Sequence, residues 1–217
     1  MKKEVKYFKD KKILEAGCGS GRISLRCAQH GADVYLLDVC QEAVKVAKKA
    51  FTKNKETLNI IQASIFNIPF KDNYFDVVWN AGVLEHFLEY EQIHALEEMK
   101  RVCKNRGLII TMVPCSKAIF YRIGKFYQEK TRKWKWGYEK PIKTLNRLYK
   151  KSLIRLEREF SVGFEEQLQF ILSIPHMGYL VLLLRKIERL FSLLGLGGYL
   201  LVSIGVKCGN NKVLRMT

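Results

Sequence analysis

The chain has 217 residues, 48 % apolar and 27 % charged, with a net charge of +17. That is enough for one domain with a sizeable core, and the balance excludes a disordered or low-complexity chain. The six cysteines form no C-x-x-C pair, which argues against a disulfide framework or a zinc site and for buried thiols in a reducing compartment.

Residues 1 to 11 are short and basic, with no apolar signal core, so a cytoplasmic location is expected. Ile13 and Leu14 end an apolar run that reads as a buried strand. The turn Glu15-Ala16-Gly17-Cys18-Gly19-Ser20-Gly21 follows at once, and Arg22 to His30 reads as a helix with Ile23, Leu25, Cys27 and Ala28 inward. Glycine has no Cβ and takes positive φ, so such a turn lets backbone approach a ligand closely. The helix behind it offers free N–H groups and a positive dipole end. Alone the turn is a weak signal. It could be structural, or of the dinucleotide-binding G-x-G-x-x-G type, although glycines at 17, 19 and 21 do not keep that spacing.

Asp33 to Asp38 reads as the second strand, and its terminal carboxylate can accept both hydroxyls of a ribose. Gln41 to Lys53 is a helix with Ala43, Val44, Val46, Ala47 and Ala50 on its inner face. Asn59 to Gln62 is a short third strand. The stretch from Ala63 to Asp76 contains Ser64, Ile65 and the run Ile68-Pro69-Phe70. Phe75 to Trp79 is the fourth strand, followed by Asn80-Ala81-Gly82-Val83-Leu84-Glu85-His86. Tyr90 to Val102 is amphipathic through Ile93, Leu96, Met99 and Val102. Arg101 to Gly107 reads as a turn and Leu108 to Val113 as the fifth strand.

The pattern then loosens. Ala118 to Lys130 and Thr144 to Lys151 read as helices around a basic, aromatic loop at Lys133 to Tyr138. Leu153 to Phe160 is a sixth strand with imperfect alternation. Glu165 to Ile174 and Met177 to Leu194 are apolar helices broken at Pro175, and Tyr199 to Val206 is the last strand. Leu190 to Val206 carries no charge, but its glycines suit a helix end and a buried strand better than a membrane span.

Taken together, the acid-glycine turn, Asp38, the Ile68-Pro69-Phe70 stretch, Val83-Leu84-Glu85-His86 and Arg101 to Gly107 resemble the class I S-adenosylmethionine-dependent methyltransferases over about residues 11 to 114. The small-molecule branch, with methyltransferase domains of the quinone-biosynthesis type, is the nearest likeness. The resemblance implies an α/β, Rossmann-like three-layer sandwich whose seven-stranded sheet is parallel except for the last strand. It implies one domain over residues 1–217, with a basic aromatic lid at about 116–150 and apolar lid helices at about 165–194. S-adenosylmethionine is the implied cofactor, leaving as S-adenosylhomocysteine. It would lie against Glu15, Gly17, Cys18, Gly19, Gly21, Asp38, Val39, Ser64, Ile65 and Asn80. Ser64 stands where relatives carry an aspartate, and a neutral hydroxyl would read the adenine less strongly.

His86 is the candidate general base, because imidazole titrates near neutral pH; the plainer alternative is a packing residue beside the cofactor. Glu85 reads as a helix-start or solvent carboxylate, and no metal site is expected. The expected acceptor is a small, partly apolar molecule. The alternatives are an RNA-binding methyltransferase and a non-catalytic cofactor-binding module. Residues Lys117 to Arg158 hold fourteen Lys or Arg and three Glu. This basic, aromatic stretch suits a solvated lid, an anionic membrane face with Trp134 and Trp136 at the interface, or, less well, nucleic acid.

Overall fold

A computed structural model describes residues 8–188 and 198–208. The two ends of the chain and residues 189–197 lie outside it, so the C-terminal end of the helix expected from Met177 to Leu194 falls outside the described residues.

Seven strands form one sheet: β1 (Lys12–Ala16), β2 (Asp33–Asp38), β3 (Asn59–Gln62), β4 (Phe75–Ala81), β5 (Cys103–Pro114), β6 (Ile154–Val162) and β7 (Leu200–Lys207). Their order is β3-β2-β1-β4-β5-β7-β6. The first five are parallel, β7 runs against β5, and β6 runs against β7. Only β7 therefore opposes the rest, as the resemblance implied. Strand composition follows position. Leu200 to Val206 is uncharged and lies between two neighbours, where both faces are covered. The edge strand β6 exposes Arg155, Glu157 and Arg158, which discourages pairing with another chain. Its imperfect alternation has a cause: the register with β7 shifts between Leu156 and Arg158, so Glu157 sits in a bulge.

Seven α-helices accompany the described sheet: α1 (Arg22–Ala28), α2 (Gln41–Lys53), α3 (Glu89–Val102), α4 (Ile119–Lys130), α5 (Asn146–Lys151), α6 (Phe164–Ile171) and α7 (Gly178–Lys186). Two inner faces differ from expectation. In α2 the buried side chains are Val44, Ala47 and Phe51, while Val46 is exposed. In α1 they are Ser24 and Ala28, and Ile23 faces outward. Phe51 is a larger apolar group than Val46 and, at Ala47+4, continues the same stripe. Arg101 to Gly107 is not a separate turn. Cys103 already pairs with Phe75, and the register jumps to Val77 with Leu108.

The main core joins the faces of β1, β4 and β5 to α3 through Leu14, Val78, Leu96, Met99 and Val113. Tyr149 of α5 is fully buried, and its hydroxyl donates to Thr111 Oγ1 or the Ser203 carbonyl, each at 3.0 Å. A smaller core forms where α6 and α7 meet, from Phe164, Leu168, Ile171, Val181 and Leu184. Helix α4 crosses α6 closely. A Cβ on Gly124 would collide with the Phe170 backbone, so only glycine permits this approach. Tyr121 and Tyr199 pack edge-on and tilted against Phe170 at 4.8 and 5.1 Å between centroids. Helices α4, α6 and α7 thus make one cap.

The cysteines are all free, and Cys18, Cys103 and Cys115 are buried; Cys40 is exposed, contrary to a uniformly buried set. No helix among the described residues is long and apolar enough to cross a membrane.

Candidate functional site

The carboxyl ends of β1, β2 and β4 surround a cavity of about 960 Å³. Open α/β sheets bind ligands at this edge, where neighbouring connections leave in opposite directions. The volume lies near the top of the range for small-molecule sites, about 300–1,000 Å³.

The wall starts with the turn after β1. The N–H groups of Gly17 and Cys18 donate to the Leu37 carbonyl at 2.7 and 3.0 Å, pinning the turn to the end of β2. Gly17 sits at φ +80°, and a Cβ there would meet Val83 Cγ2 at 2.6 Å. The turn can therefore close only with glycine at this position. Asp38 then locks both sides of the cleft. Its Oδ2 accepts from Gly19 N at 2.8 Å and its Oδ1 from Cys40 N at 2.9 Å. Each oxygen keeps a lone pair for a further donor, and the carboxylate stays half-exposed to the cavity.

Glu15 lines the same cavity yet is only 4 % exposed, and its Oε2 has no hydrogen-bond partner among the described residues. Burial pushes its carboxyl up to about 8, with the nearby Ser24 opposing and Asp38 adding to the shift. A buried, unsatisfied carboxyl beside a cavity fits a ligand that brings a donor or a positive charge. Burial likewise pushes the Cys18 thiol up to about 12, so it lines the wall as a neutral group.

The expected residues Glu15, Gly17, Cys18, Gly19, Asp38, Val39, Ser64, Ile65 and His86 all border this one cavity. Two do not. Gly21 caps α1 at φ 64° and packs toward Leu36. Asn80 is fully buried, its Nδ2 turned toward Met99 Sδ at 3.3 Å. Asn80 lies within β4, and alternation along the strand sends its side chain toward α3 instead of the cleft. The hydroxyl of Ser64 accepts from Phe66 N at 3.2 Å.

The sequence reading missed Arg22, Ile23 and Arg26, which line the cavity from α1. Their spacing puts them on one helical face, and their signal was the outward side of a helix opening at the glycine turn. It also missed Phe66 and Phe87, whose rings lie 4.8 Å apart on the opposite wall.

His86 closes the far end. Its Nδ1 lies 2.6 Å from the Tyr138 carbonyl. A carbonyl only accepts, so Nδ1 carries a proton, and in the neutral ring Nε2 is the nitrogen with a lone pair. Glu85 is a correction to the sequence reading: it opens a short 3₁₀ turn but is buried, not solvated. Burial pushes Glu85 up to about 8 and Glu139 up to about 7. Glu85, His86 and Glu139 each bring one ligand-type atom within 4.8 Å of the others, and Tyr121 donates to Glu139. This set of two carboxyls and an imidazole could hold a metal ion, which spacing alone did not suggest.

Among the described residues, none from 116–188 lines the main cavity. The expected lid touches it only at the rim, through Tyr138 on His86 and the Lys140 N–H on the Glu85 carbonyl at 3.0 Å. Trp134 is not at an outer interface; it is half-buried under Lys125 Nζ, 4.1 Å from its ring. A second hollow of about 370 Å³ begins at Phe87 and runs past Lys140, Lys143 and Arg147.

Residues 14–111 match the family described as "Methyltransferase domain". Among curated proteins, a demethylmenaquinone methyltransferase of Staphylococcus saprophyticus is 29 % identical over 113 residues, 51 % of this chain and 47 % of that protein. A ubiquinone biosynthesis O-methyltransferase of Rickettsia akari is 29 % identical over 122 residues, 56 % of this chain and 47 % of that protein. The chain spans about half the length of such relatives. Among solved structures, a SAM-dependent methyltransferase from Archaeoglobus fulgidus has a TM-score of 0.66 at 18 % identity, covering 95 % of this chain and 90 % of that one.

Proposed function

We propose that the chain is an S-adenosylmethionine-dependent methyltransferase, a reading supported by the match of residues 14–111 to a methyltransferase domain, and that it methylates a small, partly apolar acceptor at the His86 end of the cleft. The cofactor supplies an activated methyl group on a sulfonium. What the protein must add is position, exclusion of water and, for an acceptor that loses a proton, a base.

The observation that carries the reading is that Asp38, the glycine turn and Glu15 meet in one cavity whose other wall is aromatic and whose end is His86. Asp38 is the acceptor for ribose hydroxyls, with both oxygens already oriented by backbone N–H groups. Glu15 answers the ammonium of the donor's amino-acid end, because a positive charge compensates a carboxyl that burial otherwise keeps protonated. Arg22 and Arg26 offer a counter-charge for the donor's carboxylate. Phe66 and Phe87 supply an apolar surface for the acceptor. His86 takes the acceptor proton on Nε2, held in that tautomer by the Tyr138 carbonyl.

The test is transfer of an isotopically labelled methyl group to a panel of phenols, amines and acidic lipids, with tRNA as the contrasting substrate. Label in an organic-extractable product supports the reading. Label in tRNA alone, or cofactor binding without transfer to any class, overturns it.

A further inference from the structure

The cap carries a second surface that methyl transfer does not use. Helix α4 buries Tyr121, Gly124 and Lys125 against its neighbours. On its opposite side Ile119, Ile123 and Phe126 are exposed, the last by 61 %. Their i, i+4, i+7 spacing makes one continuous apolar stripe on a helix whose inner face is already satisfied. Helix α7 repeats the pattern. Val181 and Leu184 pack inward, while Tyr179, Leu182, Leu183 and Ile187 are exposed. Both helices belong to the cap built around α6, where Phe120 of α4 packs against the Phe164 cluster that includes the α7 residues.

We propose that this cap docks on an anionic lipid surface, with the α4 and α7 stripes entering the headgroup boundary. The first argument is the apolar surface, larger than scattered single side chains explain. The second is the charge beside it. Arg122, Lys130, Arg132, Lys133 and Lys135 are exposed on α4 and the loop after it. Nearby acids are already engaged, Glu129 by Lys125 at 2.5 Å and Glu165 by Arg185 at 2.8 Å. Apolar stripes flanked by cations are the composition of helices that lie in a membrane interface, and Trp136, 67 % exposed, is an interfacial side chain on the same loop.

The charge also argues against other occupants. A second copy of the chain would set this basic region against itself, and like charges facing each other oppose association. Single-stranded nucleic acid would stack on aromatic platforms, but the stripes are mostly aliphatic. Position adds a consequence. Helix α4 follows β5 at the carboxyl edge of the sheet, the edge on which the cleft opens, and the loop after it reaches His86 at Tyr138. Docking through the cap would hold the rim of the cleft near a lipid-borne acceptor.

The experiment is sedimentation of the full chain with phosphatidylglycerol–phosphatidylcholine vesicles, read as vesicle binding and not turnover, so it succeeds or fails independently of the methyl-transfer reading. Binding is expected to fall by about tenfold or more on pure phosphatidylcholine, given the contribution of each cation near an anionic surface. Ile123→Asp with Phe126→Asp is expected to lower it about tenfold or more, from the apolar surface withdrawn. Circular dichroism and cofactor calorimetry report whether that variant is folded. Lys133→Gln with Lys135→Gln, on an exposed loop, provides a second arm and is expected to cost roughly fivefold for each lysine. Equal binding to neutral and anionic vesicles overturns the proposal. So does a folded Asp variant that sediments like the parent, or one that turns a dimeric parent into a monomer. Displacement of the protein from vesicles by single-stranded RNA, with the Asp variant binding that RNA unchanged, supports charge alone and overturns the inserted stripes.

Discussion

The cleft wall between β1 and β2 is built from backbone, whereas the cap from α4 to α7 is built from side chains. In the wall, Gly17, Cys18, Gly19 and Cys40 all act through their N–H groups, and Asp38 is the one carboxylate that gathers two of them. In the cap, cohesion comes from Tyr121, Phe170 and Tyr199 and from the Phe164 cluster. Backbone geometry tolerates few substitutions, so such a wall leaves a motif. Apolar packing accepts many side chains of suitable volume, so a cap can vary with the acceptor while the wall stays fixed.

His86 stands between the two regions, and its loss gives the largest expected effect. His86→Gln should lower kcat by about 10²–10⁴-fold, the span of general base catalysis, while calorimetry finds donor affinity unchanged. An unchanged kcat would move His86 from chemistry to packing and leave the wall to act without the cap's help.

Asp38→Ala attacks the wall at its meeting point. Donor affinity should fall by about 1.5–3 kcal/mol, as for hydrogen bonds to a charged group, with the pH profile of turnover intact. If affinity holds, the wall does not depend on its carboxylate.

Gly17→Ala tests the backbone directly. A left-handed conformation forced on alanine, with its Cβ against Val83, should cost about 1–3 kcal/mol of folding stability. Thermal denaturation reads it. A variant as stable as the parent would show that the turn adapts and that the wall is less rigid than its geometry implies.

The gentlest perturbation is a change of pH, which leaves the sequence intact. Burial raises the Glu15 carboxyl from 4.5 to about 8. The folded state then binds more protons than the unfolded state across that window. Stability is full below 4.5 and falls as pH rises to about 8, by at most about 1.4 kcal/mol per pH unit for one group. Glu15→Gln should flatten the slope, and saturating cofactor should flatten it in the parent by stabilising the carboxylate. An unchanged slope in the variant would assign it to Glu85, whose carboxyl is raised to a similar value.

Much of the first half was legible because its signals are local. Strand periods, glycines at 17, 19 and 21, and an acid at the end of β2 each belong to a short segment, and parallel βα units bring them to one edge. The turn of the Asn80 side chain away from the cleft was not legible because its facing depends on the phase of β4, which a one-residue difference reverses. Glu85 was misjudged because what lies beside it, such as Glu139, comes from a segment more than fifty residues away. Val46 and Phe51 exchanged places because a stripe on α2 can be drawn two ways until the sheet beneath it is set.

By itself, then, the sequence determined the order of strands and helices, the glycine turn with an acid at the end of β2, the donor the resemblance implies, and an excess of positive charge concentrated after residue 116. Tertiary structure alone decided that β7 lies between β5 and β6, that Gly124 lets α4 cross α6, and that Glu85, His86 and Glu139 converge. It also decided that the cap adjoins the cleft without lining it and turns its apolar stripes outward. The physical reason is range. Backbone propensity and turn chemistry act within a few residues, while burial and the charge state of a carboxyl depend on what distant segments bring to its side.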